Sequence, residues 1–210
     1  EIVRADITQQ TVKTEALDNG LAYIRISSFE EQTAEDFRKA LRDLELKGTK
    51  GLVIDLRDNP GGLVDSSVEI ADLLLPEGTI TYTEDRQKAR EYYKSDTNFT
   101  GIPYVLLVNG GSASASEILA GAVKDFGTGK IVGTQTYGKG IIQSISPLKS
   151  GDAVKLTVMQ YFSPNGNVIH EVGVAPDYVV ELTKEDLVDG QLPMENDRQL
   201  MKAVELLTAH

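Results

Sequence analysis

The stretch Tyr104-Val-Leu-Leu-Val108-Asn-Gly-Gly-Ser-Ala-Ser-Ala-Ser-Glu117-Ile-Leu-Ala-Gly-Ala-Val123 decides how the chain is read. Its first five residues form a short apolar run, as in a buried strand. From Ile118 onward the composition is helical. Between them lie Asn109 and a run of Gly, Ser and Ala, small enough for a sharp turn and the close approach of a ligand. A hydroxyl placed there stands at a helix N-terminus, where free N–H groups and the dipole favour negative charge. That is where a serine nucleophile and its oxyanion gain most. The same letters have a plainer meaning. Ser114-Ala-Ser-Glu117 fits the S-x-x-E capping box, which satisfies backbone donors at a helix start. Three serines (Ser112, Ser114 and Ser116) are on offer, and spacing alone does not choose among them.

Outward from this stretch the chain alternates strands and helices. Upstream, Ala22–Ser27 and Gly51–Leu56 read as strands. Thr33-Ala-Glu-Asp36 opens a helix whose apolar face is Phe37, Ala40, Leu41 and Leu44 and which stops at Gly48; Val64–Leu75 is a second helix, closed by Pro76. Downstream, residues 115–126 continue as helix and Lys130–Thr134 as strand. Beyond Tyr137-Gly138-Lys139-Gly140 the period changes, and Ile141–Leu148 with Val154–Phe162 alternate as a hairpin. Tyr178–Leu182 adds a strand and Asp197–Leu207 an amphipathic helix. The expected fold is α/β: a largely parallel layered sheet, followed by an antiparallel β extension. Residues 1–18 and part of 79–101 are expected to form a small cap, leaving residues 19–210 as the core domain.

Composition narrows the function classes. The 210 residues are 40% hydrophobic and 25% charged, enough for one sizeable core. A net charge of −11 argues against nucleic acid as partner, since phosphate binding needs clustered Lys and Arg. With no cysteine, disulfides, thiolate metal sites and a cysteine nucleophile are excluded. No apolar run approaches the ~20 residues of a membrane span, and no signal peptide is visible. Only two histidines occur, His170 and the terminal His210, so a His-rich metal site is out of reach and no cofactor is expected.

In such a sheet, functional loops follow the carboxyl ends of strands. Residues 57–62, 109–114 and 137–140 occupy that place. Gly61-Gly62 reads either as a plain turn or as a source of N–H groups for an oxyanion. Lys139, between Gly138 and Gly140, reads either as a solvated turn residue or as a base, Ser–Lys pairs being an accepted catalytic variant. A lysine base in general must fall from about 10.4 toward ~7–8, which burial away from carboxylates supplies. Gln143, four residues further on, is either a surface amide or a group that holds the amine in place.

Taken together, Gly111-Ser-Ala-Ser-Ala-Ser-Glu-Ile118, Tyr137-Gly-Lys-Gly-Ile-Ile-Gln143 and Asp55-Leu-Arg-Asp-Asn-Pro-Gly-Gly-Leu63 resemble the carboxyl-terminal processing (tail-specific) serine proteases. So do Phe162-Ser-Pro-Asn-Gly-Asn-Val-Ile169, Gly173-Val-Ala-Pro-Asp177 and the lead-in Ala22–Ser27 with Phe29. The resemblance covers residues 1–207 and implies a crotonase-like (ClpP/crotonase-type) core. In that family nucleophile and base stand 25 residues apart, which from Lys139 selects Ser114. The resemblance makes Ser114 the nucleophile, Lys139 the general base and Gln143 the residue that orients it. Its oxyanion hole would use the N–H of Ala115 and one from Gly61 or Gly62. It implies endopeptidase cleavage of polypeptides near their C-termini through an acyl-enzyme. It also implies an extracytoplasmic location (periplasm or cell envelope) in a bacterium, and leaves room for a homo-oligomer. Members usually carry a PDZ domain just before this segment; none is present here, and one is expected in the full-length protein. The rivals are a non-catalytic ligand- or peptide-binding module of the same fold and an acyl-CoA enzyme of crotonase type, neither of which needs the Ser–Lys pair.

Overall fold

A computed structural model describes residues 10–149 and 151–209; residues 1–9, half of the first expected cap segment, and His210 lie outside. The centre is a six-stranded sheet built from β1 (Val12–Ala16), β2 (Leu21–Ile26), β3 (Gly51–Asp55), β6 (Tyr104–Val108), β7 (Lys130–Gly133) and β10 (Tyr178–Val179), in the order β1-β2-β3-β6-β7-β10. Between β3 and β6 the chain forms β4 (Gly78–Asp85) and β5 (Arg90–Ser95). β1 is antiparallel to β2, and the remaining pairs are parallel. Parallel neighbours require crossovers, here α1 (Thr33–Leu46) between β2 and β3 and α3 (Ala115–Phe126) between β6 and β7.

Both faces of this sheet are covered, which explains why its strands read as unbroken apolar runs. Ile24, Leu52, Ile54, Leu106 and Ile131 meet α1, α3 and α2 (Val64–Leu74) through Phe37, Leu41, Ile70, Leu74, Leu119 and Val123. Tyr23, Val53, Val105, Leu107 and Val132 point the other way, toward Leu200 and Ala203 of α4 (Arg198–Thr208). Successive residues alternate between the two cores because strand side chains have a period of two.

A second, four-stranded antiparallel sheet has the order β5-β4-β9-β8, with β8 (Ile141–Pro147) and β9 (Ala153–Phe162) as the hairpin expected from the alternation. Its register slips between Ile142 and Gln143, one residue past the strand's start. The stretches assigned to a cap are shared between the sheets: Val12–Ala16 is the edge strand of the first, and β4 with β5 is half of the second. The C-terminal strand is shorter than the expected 178–182, pairing with β7 only through Tyr178 and Val179. The loops 57–62, 109–114 and 134–140 all leave the carboxyl edge of adjacent strands, so residues far apart in sequence converge there.

Candidate active site

The turn between β6 and α3 is fastened to the loop after β3 by side chains that the sequence offered as candidates for catalysis. Ser112 Oγ donates to Leu56 O at 2.7 Å and accepts the Asn109 N–H at 3.0 Å. Ser116 Oγ donates to Asn59 O at 3.0 Å, and the same carbonyl accepts the Ala113 N–H. Asn59 is fully buried; its Nδ2 donates to Ile26 O and its Oδ1 accepts the Gly61 N–H, both at 2.9 Å. Asn109 closes the other side, accepting the N–H groups of Asp58 and Gly111 and donating to Asp58 Oδ1, each at 2.9 Å. Ser112 and Ser116 therefore serve as staples.

Ser114 differs from both. It stands at the N-cap of α3 with φ +57° and ψ −116°, a conformation that costs a non-glycine residue about 1–3 kcal/mol and persists where surrounding contacts enforce it. Its hydroxyl lies 3.2 Å from the Tyr161 hydroxyl. Its N–H donates to Glu117 Oε2 at 2.9 Å, and the two residues form a capping box.

Gly61 and Gly62 wrap against this turn. A Cβ on Gly61 would fall 2.7 Å from both Ala113 O and Ser114 Cβ, and one on Gly62 would fall 2.1 Å from Phe29 O. Both adopt positive φ, +100° and +142°, so glycine is required for shape and for space. Gly62 bridges Phe29 in the parallel sense, through Gly61 O and the Leu63 N–H. In such a bridge the N–H of the central residue points away from the partner strand. The Gly61 N–H is taken by Asn59, whereas the Gly62 N–H has no partner among the described residues. The Ala115 N–H, first of α3, has no intrahelical acceptor.

The third loop is tied to the second by one carboxylate. Glu117, fully buried, accepts Thr136 Oγ1–H and Gly138 N–H at Oε1 (2.6 Å each) and Ser114 N–H and Lys139 N–H at Oε2 (2.9 and 2.8 Å). The backbone of Lys139 is thus anchored to the same group as the backbone of Ser114. Its side chain is exposed, and it makes no hydrogen bond to Ser114 or Gln143 among the described residues. Gln143 is also exposed, just past the register slip. His170 packs its backbone against Gly140 and does not bond Ser114. The structure brings Ser114, Ala115, Gly61 and Gly62 together; it brings the Lys139 main chain to them but not the amine.

Three contributors lay outside the sequence reading. Thr136 and Asn59 act through buried bonds that leave no mark in a single sequence. Tyr161 looks in sequence like one more apolar position of β9, yet its hydroxyl reaches the Ser114 hydroxyl.

Residues 20–180 match the model of Peptidase family S41. The chain belongs to this family. It is 42% identical over 189 residues to a carboxyl-terminal-processing protease of Synechocystis sp., covering 90% of this chain and 44% of that protein. It is 40% identical over 185 residues to the carboxy-terminal processing protease CtpB of Bacillus subtilis, covering 86% and 38%. This S41 chain thus spans less than half the length of these curated relatives. The solved photosystem II D1 C-terminal processing protease superposes with a TM-score of 0.77 at 37% identity, over 85% of this chain and 50% of that one. The layered α/β core expected from the sequence is the fold of the family. Among the described residues no helix is long and apolar enough to cross a membrane.

Proposed function

We propose that this S41 chain is the catalytic core of a serine endopeptidase that cleaves polypeptides near their C-termini through a Ser114 acyl-enzyme. The observation that carries the reading is Ser114 itself: the one serine of three that is held in a strained turn, facing the glycine loop, with Lys139 fastened to the same buried carboxylate. Ser114 Oγ would attack the scissile carbonyl carbon while its proton passes to Lys139 Nζ. The oxyanion would be held by the Ala115 N–H and the unengaged Gly62 N–H, Gly61 serving to shape the loop. The peptide C–N bond then breaks, the amine leaves with the proton returned by the lysine, and water hydrolyses the ester by the same path. Lys139 has to swing its flexible stem inward first, and Gln143 would steady it. Such contacts commonly tighten only when substrate binds.

The exposed Lys139 amine, without a side-chain partner among the described residues, favours a second reading, a peptide-binding module of the same fold without catalysis. The two are separated by incubating the purified chain with an unfolded, fluorophore-labelled casein. Catalysis predicts turnover that Ser114→Ala and Lys139→Ala each abolish, because members of one unit do not act additively. His170→Ala should keep its activity. Binding without cleavage, unchanged in Ser114→Ala, would establish the module instead. The relatives' names support a processing role; an extracytoplasmic site, a PDZ domain elsewhere in the full-length protein and homo-oligomerisation complete the proposal.

A further inference from the structure

Tyr161 is the residue whose side chain meets the nucleophilic atom, and nothing in the mechanism above uses it. Its ring is 2% exposed near the end of β9. Three bonds hold it: its N–H donates to Gly140 O at 3.0 Å, its hydroxyl donates to Ile141 O at 3.2 Å, and that hydroxyl lies 3.2 Å from Ser114 Oγ. A carbonyl only accepts, so Ile141 O takes the single phenol proton. The phenol oxygen is left to accept from Ser114 Oγ–H. Tyr161 therefore touches Ser114 Oγ and Ile141 O through its hydroxyl and Gly140 O through its backbone N–H, the two carbonyls being those that directly follow Lys139.

We propose that Tyr161 is a positioning residue for the nucleophile: its phenol fixes the Ser114 side chain in one rotamer and in register with the strand that starts beside Lys139. Without it, the hydroxyl in the strained turn would have no side-chain partner among the described residues. Burial pushes the Tyr161 phenol above its ordinary value, with the Ser114 hydrogen bond acting in the opposite sense. It therefore stays a hydroxyl through the neutral range and does not compete as a base. A misplacement of ~1 Å at a reacting atom is worth about 10²-fold in rate, the order expected for losing such a contact.

This rests on Ser114 being the nucleophile, and the test separates the two claims. Tyr161→Phe removes the hydroxyl and keeps the buried ring. With labelled casein as substrate, kcat should fall about 10–100-fold while KM and the thermal midpoint stay near wild type. The rate of Ser114 labelling by a fluorophosphonate probe should fall in parallel. An unchanged or raised kcat, or a loss that only tracks a lowered thermal midpoint, overturns the positioning role. If Tyr161→Phe does not fold, 3-fluorotyrosine at position 161 weakens the phenol as an acceptor without changing its shape; a lower kcat supports the role and an unchanged one overturns it. Full activity in Ser114→Ala would instead remove the reading on which the proposal stands.

Discussion

Glu117 is a carboxylate sealed from water, with no cation beside it among the described residues; four hydrogen bonds and the start of α3 take the cation's place. At this scale the sequence posed two readings of Ser114-Ala-Ser-Glu117 as rivals, a helix cap or a nucleophile. The two readings are compatible, because the capping glutamate also draws the Lys139 loop to the Ser114 turn. Glu117→Gln keeps one acceptor oxygen and turns an NH₂ group toward two donors. Each orphaned donor costs about 1–3 kcal/mol, so a thermal midpoint several degrees lower is expected. Turnover should drop as well, measured well below that midpoint, since both loops lose their common anchor. Undiminished turnover in a destabilised Glu117→Gln would mean that the carboxylate serves stability alone. Ser112→Ala and Ser116→Ala should show that other pattern, a stability loss of ~1 kcal/mol each with turnover retained. Which serine is which was not legible from residue types; it depends on carbonyls at Leu56 and Asn59 that come from another strand's loop.

At the scale of elements, the strands and helices were largely readable, because burial on both faces leaves an unbroken apolar run and burial on one leaves a period in the sequence. Where the reading fell short, neighbours rather than local pattern decided. Val12–Ala16 alternates as an extended segment in the sequence, but its place as a sheet edge paired along five residues with β2 is set by that neighbour. Residues 79–101 are polar and irregular in pattern and read as one strand with an exposed excursion, whereas β4 and β5 form a hairpin that joins β9 through Tyr82–Asp85. The glycine loop after β3 was visible as a candidate, and the proposal that Gly62 and not Gly61 is the oxyanion donor rests on the Asn59 amide, which engages the Gly61 N–H. Gly62→Ala must move backbone, since the new Cβ would sit 2.1 Å from Phe29 O at φ +142°. Loss of one oxyanion donor costs roughly 10²–10³ in kcat, and that is the expected loss here. Leu63→Ala, its half-exposed neighbour, should leave kcat close to wild type. Comparable losses in the two variants would argue that the loop responds to any change, and not through the Gly62 N–H.

The molecule as a whole is closed by contacts that no local pattern announces. Arg57, two residues past β3, is bonded to Asp55 through Nε and NH2, to Asp197 at 2.7 Å and to Gln199 at 3.0 Å, the last 142 residues away in sequence. Burial pulls the guanidinium down, and Asp55 followed by Asp197 more than reverses this, so Arg57 is held charged above its ordinary value. Asp197 also caps α4, its Oδ1 accepting the N–H groups of Gln199 and Leu200 at 3.0 Å. One residue thus starts the last helix and locks it to the strand that leads into the glycine loop. Asp197→Ala removes the cap and leaves Arg57 with an unmet buried valence. Breaking a buried pair from one side costs about 3–5 kcal/mol. Asp197→Asn, which keeps an oxygen for the cap but loses the charge, should fall between Ala and wild type. A urea midpoint shifted in that order, with the slope unchanged, is the expected result. Turnover of the folded fraction should change little, because the loop beyond Arg57 has its own fasteners, Asn59 to Ile26 and Asn109 to Asp58. A folded Asp197→Ala that no longer cleaves would show that the clamp between α4 and β3 reaches the oxyanion loop and that those fasteners do not suffice to hold it.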